Sequence, residues 1–92
     1  MSNWNRNVLL HAMVKHETLT INDIMKKENL GVEPDKSQVT NTIKELHKDG
    51  AIEQLNDVEP ATFTITVKGI TEYAGLGDAE KEQLPQYQLK PR

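Results

Sequence analysis

Seven of the polar side chains between residues 36 and 48 could bind a nucleic acid: Lys36, Ser37, Gln38, Thr40, Asn41, Lys44 and Lys48. They are interleaved with Val39, Ile43 and Leu46, which repeat at i, i+4 and i+7 and so mark one apolar face of a helix. Turning that face to a core places the seven outward or on the flanks. Their chemistry suits the reading of a duplex. Asn and Gln amides form paired hydrogen bonds with adenine, and lysine reaches guanine acceptors or phosphate oxygens. Ser37 stands near the helix N-terminus, which itself attracts phosphate. The same side chains also suit a solvated helix face that binds nothing. What separates the two readings is the frame that carries the helix.

That frame can be read on both sides. Pro34 disfavours helical backbone at Glu33, so the helix is predicted to begin at Asp35 or Ser37. Gly50 ends it as the left-handed residue. Ala51–Leu55 and Thr62–Val67 alternate, and the second is β-branched, which predicts a hairpin around Asn56-Asp57-Val58-Glu59-Pro60-Ala61. A further helix is expected from about Lys68-Gly69 to Ala74. Gly75-Leu76-Gly77 reads as a hinge, and Asp78 as the cap of one more short helix ended by Pro85. Residues 86–89 read as an arm or tail. Upstream, a helix is predicted from about Asn5 to His16, capped by Asn3 or Asn5. Thr18-Leu19-Thr20 is a short β-prone stretch. Thr20 then caps a helix with Ile21, Ile24 and Met25 inward, Asp23 as a capping-box-like partner, and Asn29-Leu30-Gly31 as its end.

Two blocks carry a family resemblance. Leu46-His47-Lys48-Asp49-Gly50-Ala51-Ile52-Glu53 resembles the junction that ends the recognition helix of MarR-like and PadR-like regulators. Phe63-Thr64-Ile65-Thr66-Val67-Lys68-Gly69-Ile70-Thr71-Glu72-Tyr73 is similar to the block that follows their wing. The resemblance covers roughly residues 8–75. It implies an α+β winged helix-turn-helix: a three-helix core, a two-stranded wing, and a C-terminal helix and tail. The domain would span residues 1–76, with 77–92 a short helix and arm. The function it implies is that of a small transcriptional regulator binding double-stranded DNA. A helix over about 35–49 would enter the major groove, with Lys36, Ser37, Gln38, Thr40, Asn41, Lys44 and Lys48 as contacts. The wing departs from the pattern. Many DNA-binding wings carry Arg or Lys at the tip, whereas this one carries Asp57 and Glu59, which phosphate repels. The departure supports an alternative, a winged-helix protein–protein interaction module that meets its partner at the acidic wing.

Composition bounds both readings. Ninety-two residues suffice for one small domain. Net charge is −3, with the acidity concentrated beyond residue 50: residues 51–75 carry Glu53, Asp57, Glu59 and Glu72 against Lys68 alone. Residues 35–50 balance, with three lysines against Asp35, Glu45 and Asp49. The first helix carries Trp4, Val8, Leu9, Leu10, Ala12, Met13 and Val14 almost all round, which predicts burial on most sides. A homodimer through this helix and the C-terminal segment would supply it, and so would a packed tail, with Trp4 and Tyr87 in contact. No cysteine is present, and His11 and His16 lie about 140° apart on one helix, so no metal or cofactor is expected. Neither a glycine-rich phosphate loop nor a nucleophile motif occurs, and no enzyme is expected. Apolar runs reach only three residues, which predicts a soluble, cytoplasmic protein without a membrane span.

Overall fold

In the computed structural model, which describes residues 4–84, four short polar side chains decide where helices begin. Asn5 Oδ1 accepts from the Asn7 N–H (2.8 Å) and starts α1, Arg6–His16. After strand β1, Thr18–Thr20, the Thr20 hydroxyl accepts from the Asp23 N–H (3.0 Å) and starts α2, Ile21–Ile24. A second short helix, α3, Lys27–Leu30, closes on Gly31 at φ 83°. Asp35 Oδ1 accepts from the Gln38 N–H (3.0 Å) and starts α4, Lys36–Lys48. Strands β2, Ile52–Gln54, and β3, Thr62–Ile65, follow, and Thr66 Oγ1 accepts from the Gly69 N–H (3.1 Å) to start α5, Val67–Ala74. The last element is α6, Asp78–Glu82. Each such cap satisfies an otherwise unpartnered N–H and contributes about 1 kcal/mol.

Among the described residues the fold is therefore α+β, with six helices and one antiparallel sheet of order β1-β3-β2. This arrangement is compatible with a winged helix. The registers are Leu19 opposite Phe63 and Glu53 opposite Thr64. Among the described residues no helix is long and apolar enough to cross a membrane.

Three boundaries differ from the sequence expectation, each for a local reason. The single helix expected between Thr20 and Gly31 is broken at Lys26, which is extended (φ −87°, ψ 130°). Asn29 Nδ2 donates to the Asp23 carbonyl (2.7 Å), occupying an acceptor that a continuous helix would use for its own backbone. α5 begins at Val67 because the Thr66 hydroxyl caps it. α6 is capped at Gly77, whose N–H donates to Glu80 Oε1 (2.8 Å), and Asp78 is its first helical residue. The expected cap at Asn3, the stop at Pro85 and the arm with Tyr87 lie outside the described residues.

The core answers the question raised by the first helix. Leu9, Leu10 and Met13 are 0 % exposed and Val8 and Ala12 1 %. α1 runs through the middle of the domain, packed by α3, α4, α5, β1 and β3. Its all-round apolar pattern is thus met within one chain. Trp4 packs on the core, and its Nε1 donates to Thr42 Oγ1 on α4 (3.0 Å).

Candidate nucleic-acid interface

Helix α4 is held from one side only. Val39 and Leu46 are 0 % exposed and Ile43 6 %, so they pin the helix to α1 and β2. Thr42 sits at the edge of that face, donating to the Gln38 carbonyl (2.9 Å) while accepting from Trp4. At 100° per residue, Ser37, Thr40, Asn41, Lys44 and Lys48 fall within about 100° of arc on the opposite side. All are exposed except Thr40, which is half-buried. Lys36 and Gln38 are exposed on the two flanks. The structure thus brings five of the seven expected site residues into one stripe and sets the other two beside it. Among the described residues Lys36, Lys44 and Lys48 enter no salt bridge, so their charges are available.

Acidic ground borders the stripe on both sides. On the Gln38 flank, Arg6 from α1 binds three carboxylates. Its Nη1 meets Glu45 Oε2 and Asp49 Oδ2, each at 2.8 Å, and its Nε and Nη2 grip Glu72 at 2.7 and 2.9 Å. The forked pairing with Glu72 is the strong, planar kind that guanidinium forms with carboxylate. The Arg6 hydrogen bonds hold the Glu72 carboxyl below the usual carboxylate range, against the opposing effect of its burial. This cluster ties α1, α4 and α5 together, and its net charge stays negative. Sequence reasoning did not find it. One arginine at residue 6 gives no sign that acids 39, 43 and 66 positions away converge on it.

The other flank is the loop between β2 and β3. His47, on the last turn of α4, faces an open groove of about 460 Å3 whose far side is residues 54–59. Residues 53–60 are all exposed, so the tip presents Asp57, Val58 and Glu59 to solvent. At its base the loop is fixed from behind. The Thr66 hydroxyl donates to the Gly50 and Ala51 carbonyls (2.6 and 2.9 Å), and the Thr66 N–H to the Ala51 carbonyl (3.0 Å). A Cβ on Gly69 would collide with that same Ala51 carbonyl oxygen, so α5 can seat here only with glycine at this position. Gly50, at φ +80°, turns the chain from α4 into β2. The two glycines expected to punctuate the sequence therefore meet at one junction, which sets the angle between α4 and the hairpin.

His11 serves packing. Its Nδ1 lies 2.9 Å from the Tyr73 hydroxyl, with ring centroids 5.5 Å apart, linking α1 to α5. Its burial, with Lys15 and His16 nearby, pushes its pKa below the ordinary histidine value. Among the described residues no group of three or more His, Asp or Glu side chains could hold a metal ion. The chain matches no protein-family model, no curated protein and no solved structure.

Proposed function

We propose that the chain is a winged helix-turn-helix protein that binds duplex DNA sequence-specifically and acts as a small transcriptional regulator. The observation that carries this reading is the α4 stripe. A 13-residue helix stands free on one side, with unpaired lysines, an amide and hydroxyls opposite a fully sunk apolar face. Such a helix is about 20 Å long and fits a major groove about 12 Å wide. In this mechanism Asn41, with Gln38 at the flank, reads base edges. Lys36, Lys44 and Lys48 reach phosphate or guanine, and Thr40 supports the contact. The Ser37 hydroxyl donates to a phosphate, the Gln38 N–H being taken by the Asp35 cap. α2, α3 and their turn lie against the backbone. As a homodimer the protein would address two half-sites about one helical turn apart. With α1 enclosed, the exposed Val67 (79 %) and Ile70 (47 %) of α5 offer an apolar surface for such a dimer.

A mobility-shift titration against genomic fragments at several salt concentrations tests this. Three lysines predict a shallow dependence, about −3 in log affinity against log salt. Lys44→Ala should weaken binding to every fragment and lower that slope by about 1. Asn41→Ala should relax base preference, at a loss of about 1–3 kcal/mol. No salt-dependent binding to any fragment would overturn the reading.

A further inference from the structure

We propose that the groove between His47 on α4 and the β2–β3 loop docks an extended basic segment of another protein, one that carries an apolar side chain between its cations. This inference is independent of DNA binding at α4 and uses a different surface. Three features converge on it. The groove, about 460 Å3, is bordered by Leu55 and Val58, which are 36 % and 41 % exposed in a domain that buries most of its large apolar side chains. Asp57 and Glu59 flank Val58 directly, Glu53 lies close by along the chain, and residues 49–67 contain no lysine or arginine. Among the described residues none of these three acids enters a salt bridge. Finally, β2 is an edge strand. The Leu55 N–H donates to the Thr62 carbonyl (2.9 Å), so by alternation the main-chain groups of Gln54 point away from β3.

These features select the occupant. The carboxylates repel phosphate and exclude nucleic acid, while cations are drawn to both sides of Val58. The exposed apolar pair favours an aliphatic side chain at the centre of the bound segment. The outward main-chain groups of Gln54 suit an extended backbone, which can pair with a strand edge. Charges at such a rim mainly speed association and select the partner, and the apolar contact holds it.

The test uses the full chain, 15N-labelled, followed by amide shifts. The probes are three capped peptides: Arg-Lys-Leu-Lys-Arg, penta-lysine and Glu-Glu-Leu-Glu-Glu. The first should move residues 47 and 53–59 and saturate. Penta-lysine should bind about tenfold more weakly, the loss expected for one buried leucine side chain, and the acidic peptide not at all. Asp57→Lys with Glu59→Lys should abolish the shifts. Leu55→Ser with Val58→Ser should weaken them to the penta-lysine level, with α1 amides unchanged in both variants as the check on folding. Equal binding of penta-lysine, or shifts centred on Glu45, Asp49 and Glu72, would overturn the proposal. So would shifts of residues 53–59 that grow with protein concentration alone, since a second copy would then be the occupant. DNA binding is read separately by mobility shift, so either result can fail without the other.

Discussion

Gly69 shows how one side chain position can govern a junction. Its hydrogen leaves room for the Ala51 carbonyl, a backbone obstacle that cannot swing aside as the nearby Ile65 side chain could. Gly69→Ala should therefore destabilise the domain by about 1–3 kcal/mol despite alanine's better helix propensity. In a domain of this size that lowers Tm by roughly 4–8 °C per kcal/mol, which a thermal melt would read. An unchanged Tm would mean that α5 can shift away from β2. His11 provides the second residue-scale prediction. Its folded pKa lies below the ordinary 6.5, mainly through burial. As pH falls through about 6.5 the unfolded chain takes up the proton first, so stability is lost from there downward until the folded ring also protonates. Tm should fall between about pH 7.5 and 5.5 in the parent, and the fall should be smaller in His11→Gln. Equal pH profiles would show that the ring is not held neutral.

At the scale of elements, α4 is the piece that must be oriented, and three devices orient it. Asp35 fixes where it begins. The Trp4–Thr42–Gln38 chain of hydrogen bonds anchors its first half. The Arg6 cluster anchors its second half to α1 and α5. Glu45 and Asp49 are about half exposed, 55 % and 46 %, so solvent screens part of their attraction to Arg6. The forked pair with Glu72 is better shielded, at 23 % and 31 % exposure. Arg6→Ala would leave three carboxylates facing one another. A loss of about 1–3 kcal/mol is expected in chemical denaturation by urea, diminishing as salt is added. A loss that does not respond to salt would show that packing of the arginine stem, and not its charge, is what matters.

Across the whole molecule, the central placement of α1 decides how the chain responds to damage. Leu10 and Met13 are 0 % exposed within a single chain, so a charge there has no interface to disrupt before it disrupts the core. Leu10→Glu should unfold the domain outright, seen as loss of the thermal transition and of dispersed amide signals, because an unpaired carboxylate would be buried. Retention of the fold with a fall in sedimentation coefficient would point instead to a subunit interface at α1. The charge distribution is also a property of the whole. A narrow lysine stripe runs between two acidic flanks, one built by Arg6 and its three acids and one by the β2–β3 loop.

The sequence by itself determined the elements. Val39, Ile43 and Leu46 announced the buried face of α4 by their spacing, and all three are buried. Thr20 and Gly50 marked a start and a stop, because capping and left-handed backbone are properties of a few adjacent residues. The β1 stretch and the hairpin were legible for the same reason. The outward side chains of α4 were legible too, since a helix with one face known has its other face known. Only the tertiary structure decided what those elements do to one another. The apolar surplus of α1 pointed to a subunit interface or a packed tail, and only the tertiary structure showed five neighbouring elements packed around that helix. The Arg6 cluster, the Trp4–Thr42 bond and the Gly69–Ala51 approach join residues 18 to 66 positions apart. The break at Lys26 was missed because local propensity favours helix through it, and the competing bond from Asn29 appears only once the chain has turned. Local rules act over a few residues, whereas these contacts depend on where distant segments come to rest.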